Sequence, residues 1–405
     1  MARLERIIER LELKEFQLRA LLEVTKAINN NTDRDALLRL YEHDMREELG
    51  ITRLMLFEHN NGWQRILAYG TDAVLGPDEV ERLFAGQKDI GVIDQGGGLG
   101  AFDVAVPVLH NDRPLALLLI GDIDEEVQRI SPVVKHLNFI QTLTNLIVVA
   151  MENQRLAARA LQQEGARREL ELAAEMQSML IPRDLPRNAR IEAAGWYQPH
   201  SEVGGDYYDL IPLENDAYVV CVADVSGKGI AAALLMSNFQ ANLRASVRHA
   251  TDLTGLVHDL NTKVYDSARG ERFITLFVGH VDLRTRRIRY VNAGHNAPLL
   301  RADGAITALH EGSIALGMLS TLPFVRTGEA PLPPGSTLVS FTDGLVEQEN
   351  AAGVAFDMAP VAGVLERFGD AGVEAVNKAL SEAFQAHRGG QPYLDDIALL
   401  TCRFL

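Results

Sequence analysis

Acidic residues recur where apolar, strand-like runs of this chain give way to turns. In Ser201-Glu202-Val203-Gly204-Gly205-Asp206-Tyr207-Tyr208-Asp209, two glycines release the backbone just before Asp206. The run at 218–223 is long enough for a buried strand, and it delivers Asp224 into Val225-Ser226-Gly227-Lys228-Gly229. A third run, 336–342, ends in Asp343-Gly344, and the last, 397–405, is entered from Asp395-Asp396. One aspartate beside a glycine after a strand is an ordinary turn, so it is the joint recurrence that points to chemistry. Carboxylates gathered without a His or Cys cluster suit hard, oxygen-preferring ions, Mg²⁺ or Mn²⁺ rather than Zn²⁺, because like charges brought together need a cation.

Other chemistries fit less well. The chain has no C-x5-R loop and no Ser-His-Asp arrangement, so no side-chain nucleophile stands out. His295, in Asn292-Ala293-Gly294-His295-Asn296, titrates where a general acid must. The preferred reading is structural, with His295 and Asn296 bonding the turn after a hairpin through 274–281 and 288–292. Lys228 stands where it can meet a phosphate, but a lysine in a glycine turn is more often solvated. Thr275 is expected to pack or bond near the acidic edge. Gly227 and Gly229 open a helix, yet without a Walker lysine-serine pair or a full dinucleotide fingerprint they do not make a nucleotide site.

The elements that must position these residues follow from patterning. A strand-like IEAAGWYQP precedes the Asp206 turn, and a helix starts at Ile230. Upstream, over 4–28, apolar residues such as Leu4, Ile7, Ile8, Leu11, Leu18, Leu21 and Leu22 fall near helical spacing and predict an amphipathic helix. Thr32, followed by Asp33 and Asp35, reads as the cap of a second helix over 36–49. RLMLFEHN and WQRILAYG flank Asn60, Asn61 and Gly62 as a hairpin. DVAVPVLHN and LALLLIGDI form a second one around 111–114, after which Ser131 and Pro132 start a long helix. Residues 139–180 lack proline and are rich in helix formers; the connecting helix they predict ends at Ile181-Pro182 and Leu185-Pro186. Its apolar positions hold no strict heptad.

Composition sets limits. With 405 residues, two or more domains are expected; 47% hydrophobic and 23% charged residues can build sizeable cores. A formal charge of -16, from 55 acidic and 39 basic side chains, disfavours nucleic acid as a partner. The 2 cysteines, Cys221 and Cys402, lie in apolar runs and imply no disulfide or zinc framework. The charged N-terminus does not read as a signal peptide, and apolar runs such as 115–120 fall far short of the ~20 residues of a membrane helix. The expectation is a cytoplasmic protein with no membrane contact.

VGGDYYD, DVSGKG, ITLFVGHVD, VNAGHNAPLL, FTDGLVE and DDIALL stand in this order, and over about residue 172 to the C-terminus the chain resembles PPM-type phosphatases of the bacterial SpoIIE/RsbU branch. The resemblance implies an αββα sandwich and two divalent cations, Mn²⁺ or Mg²⁺. By motif, Asp224 would bridge both ions, Asp206 would serve one, Asp343 and Asp395 the other, and the Val225 carbonyl would add an oxygen. Asp396 is the alternative to Asp395. The implied substrate is a phosphorylated STAS-type anti-sigma-factor antagonist. VAVPVLHNDRPLALLLIGD and the preceding order of elements resemble a GAF sensor domain. The expected fold is thus α+β: an N-terminal helix (1–21), a GAF-like α/β sensor or dimerisation domain (22–150), a helical linker (151–186) through which two chains pair, and the phosphatase domain (187–405). A non-catalytic sensor or scaffold that keeps the phosphatase fold is the competing reading. Small-ligand binding by the N-terminal domain is a further one.

Overall fold

The computed structural model describes residues 2–85, 89–93, 102–110, 113–121, 132–250 and 252–405. The chain divides into two compact units, Met1–Glu164 and Gly165–Leu405.

The first unit contains α1 (Ala2–Asn29), α2 (Arg34–His43), a π-helical turn (Asp44–Glu48), β1 (Arg53–His59), β2 (Trp63–Tyr69), α3 (Pro77–Ala85), β3 (Gly91–Val92), β4 (Val104–His110), β5 (Arg113–Gly121) and the start of α4 (Pro132–Ser178). Its strands form one antiparallel sheet in the order β2-β1-β5-β4-β3. Side chains alternate across that sheet, as a period of two requires. Leu54, Leu56, Val106, Leu118 and Ile120 pack with Val24, Leu37, Tyr41, Ile140 and Ile147 of the helices. Met55, Phe57, Ala105, Leu117 and Leu119 face the other way, onto Val80 of α3 and Phe102.

The second unit starts in α4 and continues with β6 (Ile191–Gln198), β7 (Tyr207–Pro212), β8 (Ala217–Val225), α5 (Ile230–Val247), α6 (Leu253–Ala268), β9 (Ile274–Asp282), β10 (Arg287–Ala293), β11 (Leu299–Ala302), β12 (Ala305–Ala308), β13 (Gly312–Ser313), β14 (Gly328–Pro331), β15 (Ser336–Phe341), α7 (Asp343–Val346), α8 (Met358–Phe368), α9 (Val373–Arg388) and β16 (Ile397–Phe404). One sheet runs β13-β10-β9-β8-β7, with β14 also on β10, and the other runs β12-β11-β15-β16-β6. Helices α5 and α6 cover the first sheet, α8 and α9 cover the second, and β16 packs against β7 and β8. Alternation along β16 builds both cores: Ala398, Leu400, Cys402 and Phe404 face the inter-sheet core, whereas Ile397 and Leu399 face Val361, Val376, Leu380 and Phe384 of α8 and α9. The result is the four-layered αββα sandwich expected from the sequence.

Several local expectations change. Asp33, not Thr32, caps α2, accepting the Ala36 amide at 2.9 Å, and the α-helix gives way to the π-helical turn rather than running to residue 49. Helix α1 matches the amphipathic helix read over 4–28, with Ala20 and Val24 in the core of the first unit. The turn at 111–112 and the Ser131 cap lie outside the described residues. Among the described residues no helix is long and apolar enough to cross a membrane.

Candidate metal centre

Asp206 directly precedes β7, Asp224 is the penultimate residue of β8, Asp343 opens α7, and Asp395 and Asp396 lead into β16. The sandwich therefore brings all five predicted acidic positions to one end of its sheets. Asp206 is buried, and its carboxyl is lifted well above the ordinary range by burial first and by Asp224 next; Thr342 Oγ1 opposes this by donating to Oδ2 at 2.6 Å. Asp224 is pushed up to about 7 by burial, then by Asp343 and Asp395, with a hydrogen-bonding contact to Asp206 opposing. Asp343 is pushed up to about 6 by burial, then by Glu347 and Asp395, with the Gly344 backbone and Lys228 opposing.

The two C-terminal aspartates differ sharply. Asp396 is buried and spends both oxygens on backbone amides, accepting from His200 at 2.7 Å and Gly205 at 2.5 Å; burial still leaves its proton affinity raised. Asp395 is partly exposed, with Oδ1 accepting the Asp396 amide at 2.8 Å and Oδ2 paired with Lys228 Nζ at 2.8 Å.

The turn before Asp206 is held from several sides. Gln177 of α4, itself buried, donates Nε2 to the Gly204 carbonyl at 2.6 Å and accepts the Gly204 amide at 3.1 Å. A Cβ on Gly204 would lie 2.8 Å from Asp396 Oδ2, and one on Gly205 would lie 3.1 Å from the Val225 carbonyl oxygen. These glycines serve close approach rather than unusual backbone angles, and they place the Val225 oxygen beside the same turn. The next loop is locked as well. Ser226 exchanges bonds with Phe273, and Arg272 Nη1 donates to the Ser226 carbonyl at 2.7 Å. Gly227 and Gly229 take positive φ, 85° and 75°, on either side of Lys228.

Thr275 stands opposite Asp224 in the β8–β9 register, and its Oγ1 is 2.8 Å from His295 Nδ1. The His295 amide donates to Asn292 Oδ1 at 2.8 Å, as the structural reading of that turn anticipates. Burial pushes the His295 imidazole down to about 4, so it is neutral near pH 7 and unsuited to protonating a leaving group. Thr342 and Gln177 were not singled out by sequence reasoning; no local signal marks them, because their partners lie 136 and 27 residues away.

Among the described residues, no three His, Cys, Asp or Glu side chains are grouped as a metal site. The donor chemistry nevertheless fits a hard cation. All donors are oxygens, and their burial and mutual repulsion call for positive charge that Lys228 supplies only to Asp395 and, at longer range, Asp343. Side-chain rotation would be needed to converge on an ion.

Two packed, mainly antiparallel sheets with helix pairs outside them define a PP2C-like phosphatase fold. The SiaA-PP2C domain of Pseudomonas aeruginosa shares it, with a TM-score of 0.54 and 22% identity, covering 61% of this chain and 100% of that chain. Residues 214–405 match the profile of the family described as Stage II sporulation protein E (SpoIIE). The phosphoserine phosphatase RsbU of Bacillus subtilis is 26% identical over 210 residues, 51% of this chain and 61% of that protein. Protein IcfG of Synechocystis sp. is 24% identical over 325 residues, 73% of this chain and 50% of that protein. The chain thus spans about half the length of the curated relatives it matches.

Proposed function

We propose that the chain hydrolyses phosphoserine and phosphothreonine in proteins with the help of two divalent cations, Mn²⁺ or Mg²⁺, held by Asp206, Asp224, the Val225 carbonyl, Asp343 and Asp395. The observation that carries this reading is the meeting of carboxylates from separate stretches of chain at one sheet edge of a domain that matches the SpoIIE profile over residues 214–405. Bound there, such ions would supply water activation and charge neutralisation on the phosphoryl group. The protein's own residues do the positioning. Thr342 orients Asp206, Asp396 fastens the Gly205 turn, and Gln177 fixes Gly204. The net reaction adds water across the phosphorus–oxygen bond and releases the side-chain hydroxyl and inorganic phosphate.

That RsbU and RsbP of Bacillus subtilis are named phosphoserine phosphatases supports the substrate class. A STAS-type anti-sigma-factor antagonist as the particular substrate follows from family resemblance. The first unit is proposed as a GAF-like sensor or dimerisation domain (22–150) that regulates a phosphatase domain (187–405) through the linker (151–186), with the whole protein cytoplasmic. Pairing of two chains through the linker helix is supported by Leu156, Leu161, Leu172 and Met176, which stand exposed along α4. Turnover of p-nitrophenyl phosphate and of a phosphoserine protein should require Mn²⁺ or Mg²⁺ and fall at least ~100-fold in Asp224→Ala. Absence of metal-dependent turnover on either substrate would instead favour the scaffold reading.

A further inference from the structure

Lys228 bridges two loops that are each fixed independently. Its own loop, 226–229, is clamped by Arg272 and Phe273 and follows directly from Asp224 and Val225. Its Nζ reaches across to Asp395 Oδ2 at 2.8 Å and also donates to the Leu394 carbonyl. That second loop is held by buried Gln348, which accepts the Leu394 amide at 3.2 Å and donates to the Pro392 carbonyl at 3.1 Å. The ammonium is thus presented to an oxygen pair, a carboxylate and a carbonyl, of the kind a hard cation takes. One acidic position of the cluster therefore already has a cation on it, supplied by the chain.

We infer that Lys228 is a tethered counter-ion that competes with a divalent metal ion for Asp395. The inference rests on the cation reading proposed above and goes beyond it by assigning Lys228 to the metal-free state. An ion that takes Asp395 must displace the ammonium, so the Lys228–Asp395 pair raises the metal concentration needed to fill that position. Lys228 is half-exposed and can swing into solvent on its flexible stem when displaced. The competition is modest, since partly exposed pairs are weak and screened by salt.

The test is calorimetric titration of Mn²⁺ into the metal-free full chain, comparing wild type with Lys228→Met, which keeps the apolar stem, and Lys228→Arg, which keeps the charge. The expected result is apparent binding about two- to fivefold tighter in Lys228→Met, with Lys228→Arg close to wild type and the difference shrinking as salt is raised. Unchanged or weaker Mn²⁺ binding by Lys228→Met, in a protein whose wild type binds Mn²⁺, overturns this inference alone. No Mn²⁺ binding by wild type or variants removes the cation reading and this inference together. Metal-free circular dichroism of each variant establishes that the folds being compared are the same.

Discussion

Asp395 and Asp396 are adjacent in sequence, yet their surroundings assign them different work. Asp396 closes two backbone bonds in a buried position, whereas Asp395 holds an exposed ion pair that a cation can replace. Asp396→Asn leaves one of those two amides facing an amide instead of an acceptor, so it should cost about 1–3 kcal/mol of stability of the second unit, read from urea unfolding. Asp395→Asn should change stability by less than about 1 kcal/mol while weakening Mn²⁺ binding. The reverse pattern would exchange the two assignments. The sequence offered both residues, and only a family resemblance preferred the first. The physical ground for telling them apart is burial and the amides of His200 and Gly205, which lie almost two hundred residues away in the chain.

At the scale of elements, the runs that read as strands are strands because continuous or alternating apolar residues suit sheets covered on one or both faces. The ends of β8, β9, β15 and β16 fall within a residue or two of the runs seen in sequence. Short pieces such as β13 and β14 carry no such pattern; they exist because β10 offers free backbone edges. Gln177 shows what helical patterning leaves out. Inside α4 it reads as one more helix former, but its amide pairs with both backbone groups of Gly204 and so ties the end of α4 to the Asp206 turn. Gln177→Leu should strand a buried donor and acceptor at a cost of about 1–3 kcal/mol and reduce turnover, with Gln177→Glu, which keeps the acceptor, intermediate in both. Equal turnover in all three proteins would show that this tie does not position Asp206.

At the scale of the whole molecule, each unit has its own core, and a buried carboxyl with an unpartnered oxygen marks the first. Asp44, in the π-helical turn, is 3% exposed, and its Oδ2 has no hydrogen-bond partner. Its carboxyl is pushed up to about 6 by burial, then by Glu23, with His43 opposing and Glu48 adding. Because the folded value lies above the unfolded one, the protonated form favours folding; that contribution is complete below about pH 4 and is lost as pH rises through about 6. Asp44→Asn should therefore raise the melting temperature of the first unit at pH 8, by an amount equivalent to about 1 kcal/mol, with no gain at pH 4. A gain of equal size at both pH values would remove Asp44 as its source.

The sequence by itself determined the strands, the long helices and which acidic residues stand at strand ends, since these depend on apolar periodicity and turn chemistry that are local, whereas the αββα class followed from the family resemblance that its ordered motifs carry. Tertiary structure alone decided which of those carboxylates are buried, which are occupied by backbone amides or by Lys228, that His295 is neutral, and that Gln177 and Thr342 belong to the site. Proton affinity and hydrogen bonding depend on what lies within a few ångströms in space, and the chain brings those neighbours together only when the two sheets close on each other.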